Sequence, residues 1–156
     1  MSAKSVTCGV IVTDGTRILL GHATRSPRWD IPKGIAEADE VLAAAARREL
    51  QEETGLVARE DELVPLGVRP YRSDKDLALF LWRPAAMPDP KTLVCVSCFT
   101  WQGRDLPEFD RFGLFSQEEA VARVGKAMAA ILAGISLAEG SEGASRASNS
   151  PRGRAT

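Results

Sequence analysis

Gly34 to Leu56 reads GIAEADEVLAAAARRELQEETGL, and the rest of the chain is organised around it. Its central part, Glu40 to Thr54, is rich in Ala, Leu, Arg, Gln and Glu, all good helix formers, and predicts a helix. With Glu49 placed at 0° on a turn of 3.6 residues, Glu53 falls at about 40° and Glu52 at about 300°, so the three carboxylates share an arc of about 100°. Ala43, Ala46 and Leu50 lie beside that arc, while Arg47, Arg48 and Gln51 are expected to point the other way. Like charges gathered on one side of a helix repel, by a few tenths of a kcal/mol per pair. A cation would neutralise them. Carboxylate oxygens without a His or Cys cluster favour hard cations, Mg²⁺ or Mn²⁺, over zinc.

The flanking pattern is more specific than the charge. Gly34, Glu40, Arg48-Glu49-Leu50, Glu52-Glu53 and Gly55-Leu56 stand at the spacing of the Nudix box, and the chain resembles the Nudix hydrolase family at every defined position of that box. One loop position departs from the commoner form: Asp39 stands where a glycine often precedes the first glutamate. The resemblance implies an α/β fold, a Nudix α/β/α sandwich with a mixed central sheet. It also implies metal-dependent hydrolysis of a pyrophosphate bond in a nucleoside diphosphate-linked compound. On the same basis Glu52 and Glu53 are expected as principal metal ligands, with the backbone carbonyl of Gly34 contributing. Glu49 is either a further ligand or the group that orients and deprotonates water. Arg48 and Glu40 are expected to support the box structurally.

Composition is consistent with this class. The chain has 156 residues, 44% of them hydrophobic and 26% charged, which is ordinary for one globular domain. A formal net charge of −1 gives no electrostatic footprint for non-specific nucleic-acid binding. No apolar run reaches the length of a membrane span, and Met1-Ser2-Ala3-Lys4 leads into a strand rather than a signal peptide. Three cysteines, an odd number, suit a reducing cytoplasm.

Upstream of the box, residues 5 to 13 are β-branched-rich and predict a buried strand. Asp14-Gly15 marks a hairpin turn, and Arg17 to Gly21 returns as a second strand. An arginine-bearing loop, HATRSPR, then leads to Trp29-Asp30-Ile31-Pro32-Lys33-Gly34, where Pro32 disfavours helix at Ile31, so the chain is expected to enter the box extended. WDIPKG is similar to the entry of diadenosine polyphosphate hydrolases and their relatives. It makes Lys33 a candidate phosphate contact, and leaves Trp29 either a core aromatic or a residue at the nucleotide end of the site. His22, the only histidine, cannot form a zinc site alone and is expected to be structural.

Downstream, Leu63 to Arg69 and Leu77 to Trp82 predict two strands joined by a polar connection, Pro70 to Lys75. Tyr71 could stack on a base, and Arg69, Arg72 or Lys75 could meet phosphates; the alternative is an exposed charged hairpin. Leu93 to Trp101 is strand-like, and its Cys95 and Cys98 fall on opposite faces, which argues for inert thiols rather than a redox or zinc pair. Ser116 with Glu119 forms a capping box, predicting a helix from Gln117 to Ile131. Leu106 to Phe115 contains PEFD, similar to the acid-bearing loop of RNA 5′-pyrophosphohydrolases. That likeness makes Glu108 a candidate fourth active-site carboxylate and an alternative to Glu49 as the base. Residues 1–137 are read as the Nudix domain and 138–156 as a disordered Gly/Ser/Arg-rich tail without periodic apolar residues.

The leading expectation is a dinucleoside polyphosphate or similar nucleotide as substrate, with no membrane or protein partner implied. An RNA 5′-pyrophosphohydrolase is argued for by PEFD and against by the lack of a basic excess; a house-cleaning nucleoside triphosphate pyrophosphatase is a further alternative. A non-catalytic nucleotide sensor would be expected to lose box acids, and all are retained.

Overall fold

The computed structural model describes residues 4–138; the tail expected beyond Leu137 lies almost wholly outside them. The first half of the chain forms β1 (Ser5–Val12), β2 (Arg17–Ala23), β3 (Trp29–Asp30), β4 (Lys33–Ile35) and α1 (Leu42–Thr54). The second half forms β5 (Val64–Arg72), β6 (Lys75–Trp82), β7 (Cys98–Trp101), β8 (Arg104–Pro107), β9 (Phe109–Ser116), α2 (Gln117–Arg123) and α3 (Lys126–Ala133). Two sheets carry the fold. One is mixed, in the order β4-β1-β6-β5, with β1 parallel to β6 and the other pairs antiparallel. The other is antiparallel, β3-β2-β9, and β7 and β8 form a separate hairpin.

Strand alternation sorts side chains into two cores. On one face, Cys8, Val10 and Val12 of β1 join Ala78, Phe80 and Trp82 of β6 against Ala45, Ala46 and Leu50 of α1. On the other, Ile11, Leu77 and Leu79 meet Ala120 of α2 and Met128 and Leu132 of α3. Helix, sheet and helix are thus stacked as three layers, the α/β/α arrangement expected.

Four local expectations need correction. Helix α1 begins at Leu42, not Glu40, because the Glu40 carboxylate is used by the turn before it, accepting from the Glu37 N–H at 2.9 Å. The predicted helix from Gln117 to Ile131 is two helices. Val124 and Gly125 are both extended (ψ 171° and 165°), although the Ser116–Glu119 capping box is present. Only Cys98–Trp101 of the strand-like run is strand. The N–H groups of Val94, Val96 and Ser97 instead donate to the Thr54 and Glu52 carbonyls, satisfying acceptors that α1 leaves free at its end. The expected polar connection from Pro70 to Lys75 is mostly strand, and only Ser73 and Asp74 form the turn, so Tyr71 and Arg72 are fixed in β5.

Candidate active site

The box folds so that α1 lies over β4. Gly34 faces the helix so closely that a Cβ there would overlap the Glu49 carboxyl group, which gives the glycine a steric reason. Asp39, the departure from the common pattern, has φ 65°, a left-handed conformation that Asp tolerates better than most residues. Gly55 ends α1 at φ 83°, and its N–H donates to the Gln51 carbonyl.

Glu49 and Glu53 are buried although both are acids, with 8% and 7% exposure. The backbone N–H of Lys33 donates to Glu53 Oε1 at 3.0 Å. Burial pushes the Glu53 carboxyl up to about 8, the Lys33 N–H opposes this, and the charges of Glu49 and Glu108 add to the rise. Burial also raises Glu49, against the pull of Arg48.

Arg48 is the hub of the box. Its guanidinium donates to both Glu40 oxygens, at 2.9 and 3.0 Å, and to Glu49 Oε2 at 2.9 Å. It also reaches Glu52 Oε1 and the Ile35 carbonyl, each at 3.3 Å. Helix period turns the Arg48 Cα away from the acids, but its long side chain folds back and makes the pairing with box glutamates that the resemblance implies. The Arg48 hydrogen bond is the main cause holding Glu40 down at about 2.

Glu40, Glu49, Glu52 and Glu53 offer only oxygen donors. Among the described residues Arg48 bonds to Glu40, Glu49 and Glu52 and not to Glu53, which accepts one hydrogen bond, from the Lys33 amide. Among the described residues no three His, Cys, Asp or Glu side chains stand as a ready-made metal cage. Arg48 Nη1, bonded to both Glu49 and Glu52, lies where their charges converge. Carboxylate donors without a His or Cys beside them suit the hard cations Mg²⁺ or Mn²⁺ better than zinc.

Glu108 lies between β8 and β9, half-buried, with its backbone clamped on both sides. Its N–H donates to the Ser97 carbonyl at 2.8 Å, and its carbonyl accepts from the Thr24 N–H at 3.1 Å. Its charge is the smallest of the influences that raise Glu53.

Lys33 points to the opposite side of the sheet from Gly34. Its ammonium pairs with Asp30 at 2.8 Å and lies 5.9 Å from the centre of the Tyr71 ring, while the Arg72 guanidinium lies 5.0 Å from that ring. Burial pulls the Lys33 ammonium down, but Asp30 and its other anionic neighbours more than offset this, leaving it raised. Trp29 fits both readings made of it. It packs edge-on against Phe115 and His22, and it lines a cleft with Arg28, Tyr71 and Arg72.

Sequence reasoning missed several partners. Asp30, three residues before Lys33, pairs with it outside any helix, and Asp110 pairs with His22 (Nδ1 to Oδ1, 2.8 Å) across a long sequence separation. Arg28 and Lys126, on the same cleft as Tyr71, were equally silent.

Comparison with known proteins agrees with the site. The NUDIX domain family matches residues 3–133, and the chain belongs to that family. It is accordingly an enzyme of the Nudix hydrolase class, acting on phosphoanhydride bonds. It is 36% identical over 128 residues to an uncharacterized 17.7 kDa protein of the e-segB intergenic region of Enterobacteria phage T4, covering 74% of this chain and 85% of that one. Among solved structures it is similar to a NUDIX hydrolase from Nitrosomonas europaea, with TM-score 0.61 and 18% identity over 89% of this chain and 73% of that one. It is also similar to an Ap4A hydrolase binary complex from C. elegans, with TM-score 0.59 and 21% identity over 81% of this chain and 92% of that one. No helix among the described residues is long and apolar enough to cross a membrane.

Proposed function

We propose that this enzyme uses Mg²⁺ or Mn²⁺ to hydrolyse the pyrophosphate bond of a dinucleoside polyphosphate or a nucleotide of similar size. The observation that carries the reading is the buried Glu49–Glu53 pair, backed by Gly34 and short of counter-charge. Divalent metal, when bound, would screen the phosphate charge, activate the attacking water and stabilise the leaving phosphate. Glu52, Glu53 and the Gly34 carbonyl would hold it, with Glu49 as a further ligand or as the base. Arg48 and Glu40 keep the acids in place. Glu108 orients or deprotonates the water.

The substrate side is read from the other face of the sheet. Lys33 and Arg72 near the Tyr71 ring offer phosphate contacts beside a stacking surface, and Trp29 borders them. The Ap4A hydrolase among the similar structures is consistent with a dinucleoside polyphosphate. Three free cysteines and the nucleotide chemistry fit action in the cytoplasm. The test is a panel of dinucleoside polyphosphates, nucleoside diphosphate sugars, nucleoside triphosphates and 5′-triphosphate RNA, each with Mg²⁺, Mn²⁺ or chelator. Turnover of the first group, abolished by chelator, is expected. Full activity without metal, or with zinc alone, would sink the assignment.

A further inference from the structure

Glu108 is the single residue between β8 and β9, and a relay of backbone hydrogen bonds ties it to the box. The Ser97 N–H donates to the Glu52 carbonyl at 3.2 Å, the Glu108 N–H to the Ser97 carbonyl at 2.8 Å, and the Thr24 N–H to the Glu108 carbonyl at 3.1 Å. Ser97 and Glu108 flank the β7–β8 hairpin, whose first and last residues, Cys98 and Pro107, are paired. The orientation of this hairpin therefore sets the position of Glu108. Among the described residues β7 and β8 pair with no other strand. A lone two-stranded hairpin is marginally stable in water, so it needs a further contact to stand in one orientation.

Such a contact lies near the hairpin's tip. The Arg25 guanidinium sits 3.5 Å from the centre of the Trp101 ring, close enough for a cation–π stack. Trp101 pairs with Arg104 across Gln102-Gly103, both left-handed (φ 49° and 76°), as a tight hairpin turn requires. Arg25 is also left-handed, at φ 63°, a costly backbone for arginine. It is exposed, and among the described residues it pairs with no acid, so the Trp101 ring is its charged group's partner. The turn that carries it is internally bonded: the Ser26 N–H donates to the Ala23 carbonyl at 3.1 Å, and the Arg28 N–H to Ser26 Oγ at 3.0 Å. Arg25 directly follows Thr24, so one turn grips the hairpin near its tip and Glu108 at its base. We propose that the Arg25–Trp101 stack is a positioning device, which docks the hairpin on the β2–β3 turn and so fixes where the Glu108 carboxylate stands relative to α1. This rests on the reading of Glu108 as an active-site acid, and names Arg25 and Trp101 as positioning residues.

The first test is kinetic, on the full-length protein with Mg²⁺ and a dinucleoside tetraphosphate. Trp101→Ala should lower kcat by about 10–100-fold, the cost of slightly misplacing a reacting group, and leave KM within about two-fold. Trp101→Phe keeps a ring under the guanidinium and Arg25→Lys keeps a cation, so both should retain most of the rate. In a Glu108→Gln background Trp101→Ala should cost nothing further, because the stack acts through that carboxylate. A further loss of the same size there overturns the proposal. So does a raised KM with kcat intact, which would make Trp101 a substrate contact. The second test needs no turnover: amide hydrogen exchange is followed by NMR in the metal-depleted protein. In Trp101→Ala the Glu108 amide should exchange about ten-fold faster or more, while the Val10 amide, bonded to the Pro32 carbonyl in the core, exchanges as in wild type. Arg25→Ala, at an exposed residue, makes the same test should Trp101→Ala not fold. Unchanged protection of Glu108 in a folded variant overturns the proposal. If Glu108→Gln leaves turnover unaltered, the reading of Glu108 fails, and the exchange rates decide separately whether the stack holds that residue.

Discussion

On the α1 face of the sheet, a helix of 13 residues runs unbroken and carries Glu49 and Glu53 into the protein, where their charge is costly. On the opposite face, the helical segment is interrupted after 7 residues and resumes at Lys126, and its cations stay exposed beside Tyr71. Both faces are built from the same strand alternation, Val10 looking one way and Ile11 the other. The difference lies in what each layer does with charge. The α1 layer confines acids rigidly, as chemistry at a fixed point requires. The α3 layer leaves its cations in solvent beside Tyr71. Acids deprived of water and cations left in water are thus separate devices meeting at Lys33, whose backbone serves the first and whose ammonium faces the second.

The sharpest break of that comparison is Glu53→Gln. It preserves shape while removing the charge that a cation would need, so turnover should fall by about 10³-fold or more, several kcal/mol of transition-state stabilisation. A folded variant within a few-fold of wild type would mean that the acidic face is not the catalytic one. Glu108→Gln comes next. If that acid orients or deprotonates water, turnover should drop by about 10²–10⁴-fold. Metal affinity should change much less than in Glu53→Gln. An unaltered rate and pH profile would make Glu108 a loop residue that merely lies near.

The same burial predicts a stability cost without metal. Glu53 titrates near 8 in the folded protein against 4.5 for the free side chain. Between those values the folded state keeps a proton that the unfolded chain has released, so this group makes stability fall as pH rises from about 4.5 to 8. The unfolding free energy of metal-depleted protein should therefore fall across that window, by on the order of a few kcal/mol at most, and its melting temperature with it. Glu53→Gln should flatten the trend and be the more stable protein near pH 8. Equal slopes for the two proteins would show that the burial of Glu53 has been overstated.

How well each face could be read from sequence follows from this division. The acids were legible because their placement is local: one helix period fixes Glu49, Glu52 and Glu53 relative to one another, and Gly34 precedes them at fixed spacing. The strands were legible from β-branched runs such as residues 5 to 13. What escaped depends on long-range contact. For Arg48, periodicity places only the Cα; its pairing with box glutamates was legible through the resemblance and not through helix period. The apolar pattern from Gln117 to Ile131 continues through Val124, so nothing local marks the break there except Gly125, a weak signal alone. The run from Leu93 is β-rich, yet its amides are claimed by the end of α1. Arg28 and Lys126 come from distant parts of the chain, and only the packing of α3 against β5 gives them a common cleft.

The smallest expected effect separates support from chemistry on the α3 side. Ser116 Oγ accepts from the Glu119 N–H at 3.1 Å, and the Glu119 carboxylate accepts from the Ser116 N–H at 2.9 Å. Ser116→Ala removes half of this capping box, a loss of about 1 kcal/mol. The next residue makes the site more than a local cap: the Gln117 side chain donates to the Leu132 carbonyl at 2.7 Å and also to that of Ile135, tying the start of α2 to the end of α3. A frayed α2 start would loosen that tie, so Ser116→Ala and Gln117→Ala should be less than additive when combined. Melting should fall by about 3 °C for the single cap variant, given the size of the domain. Turnover should stay within two-fold of wild type (about 0.4 kcal/mol), because neither the acids nor Lys33 touches this corner. A ten-fold loss of kcat would instead couple the α2 cap to the catalytic face and dissolve the separation drawn between the two layers.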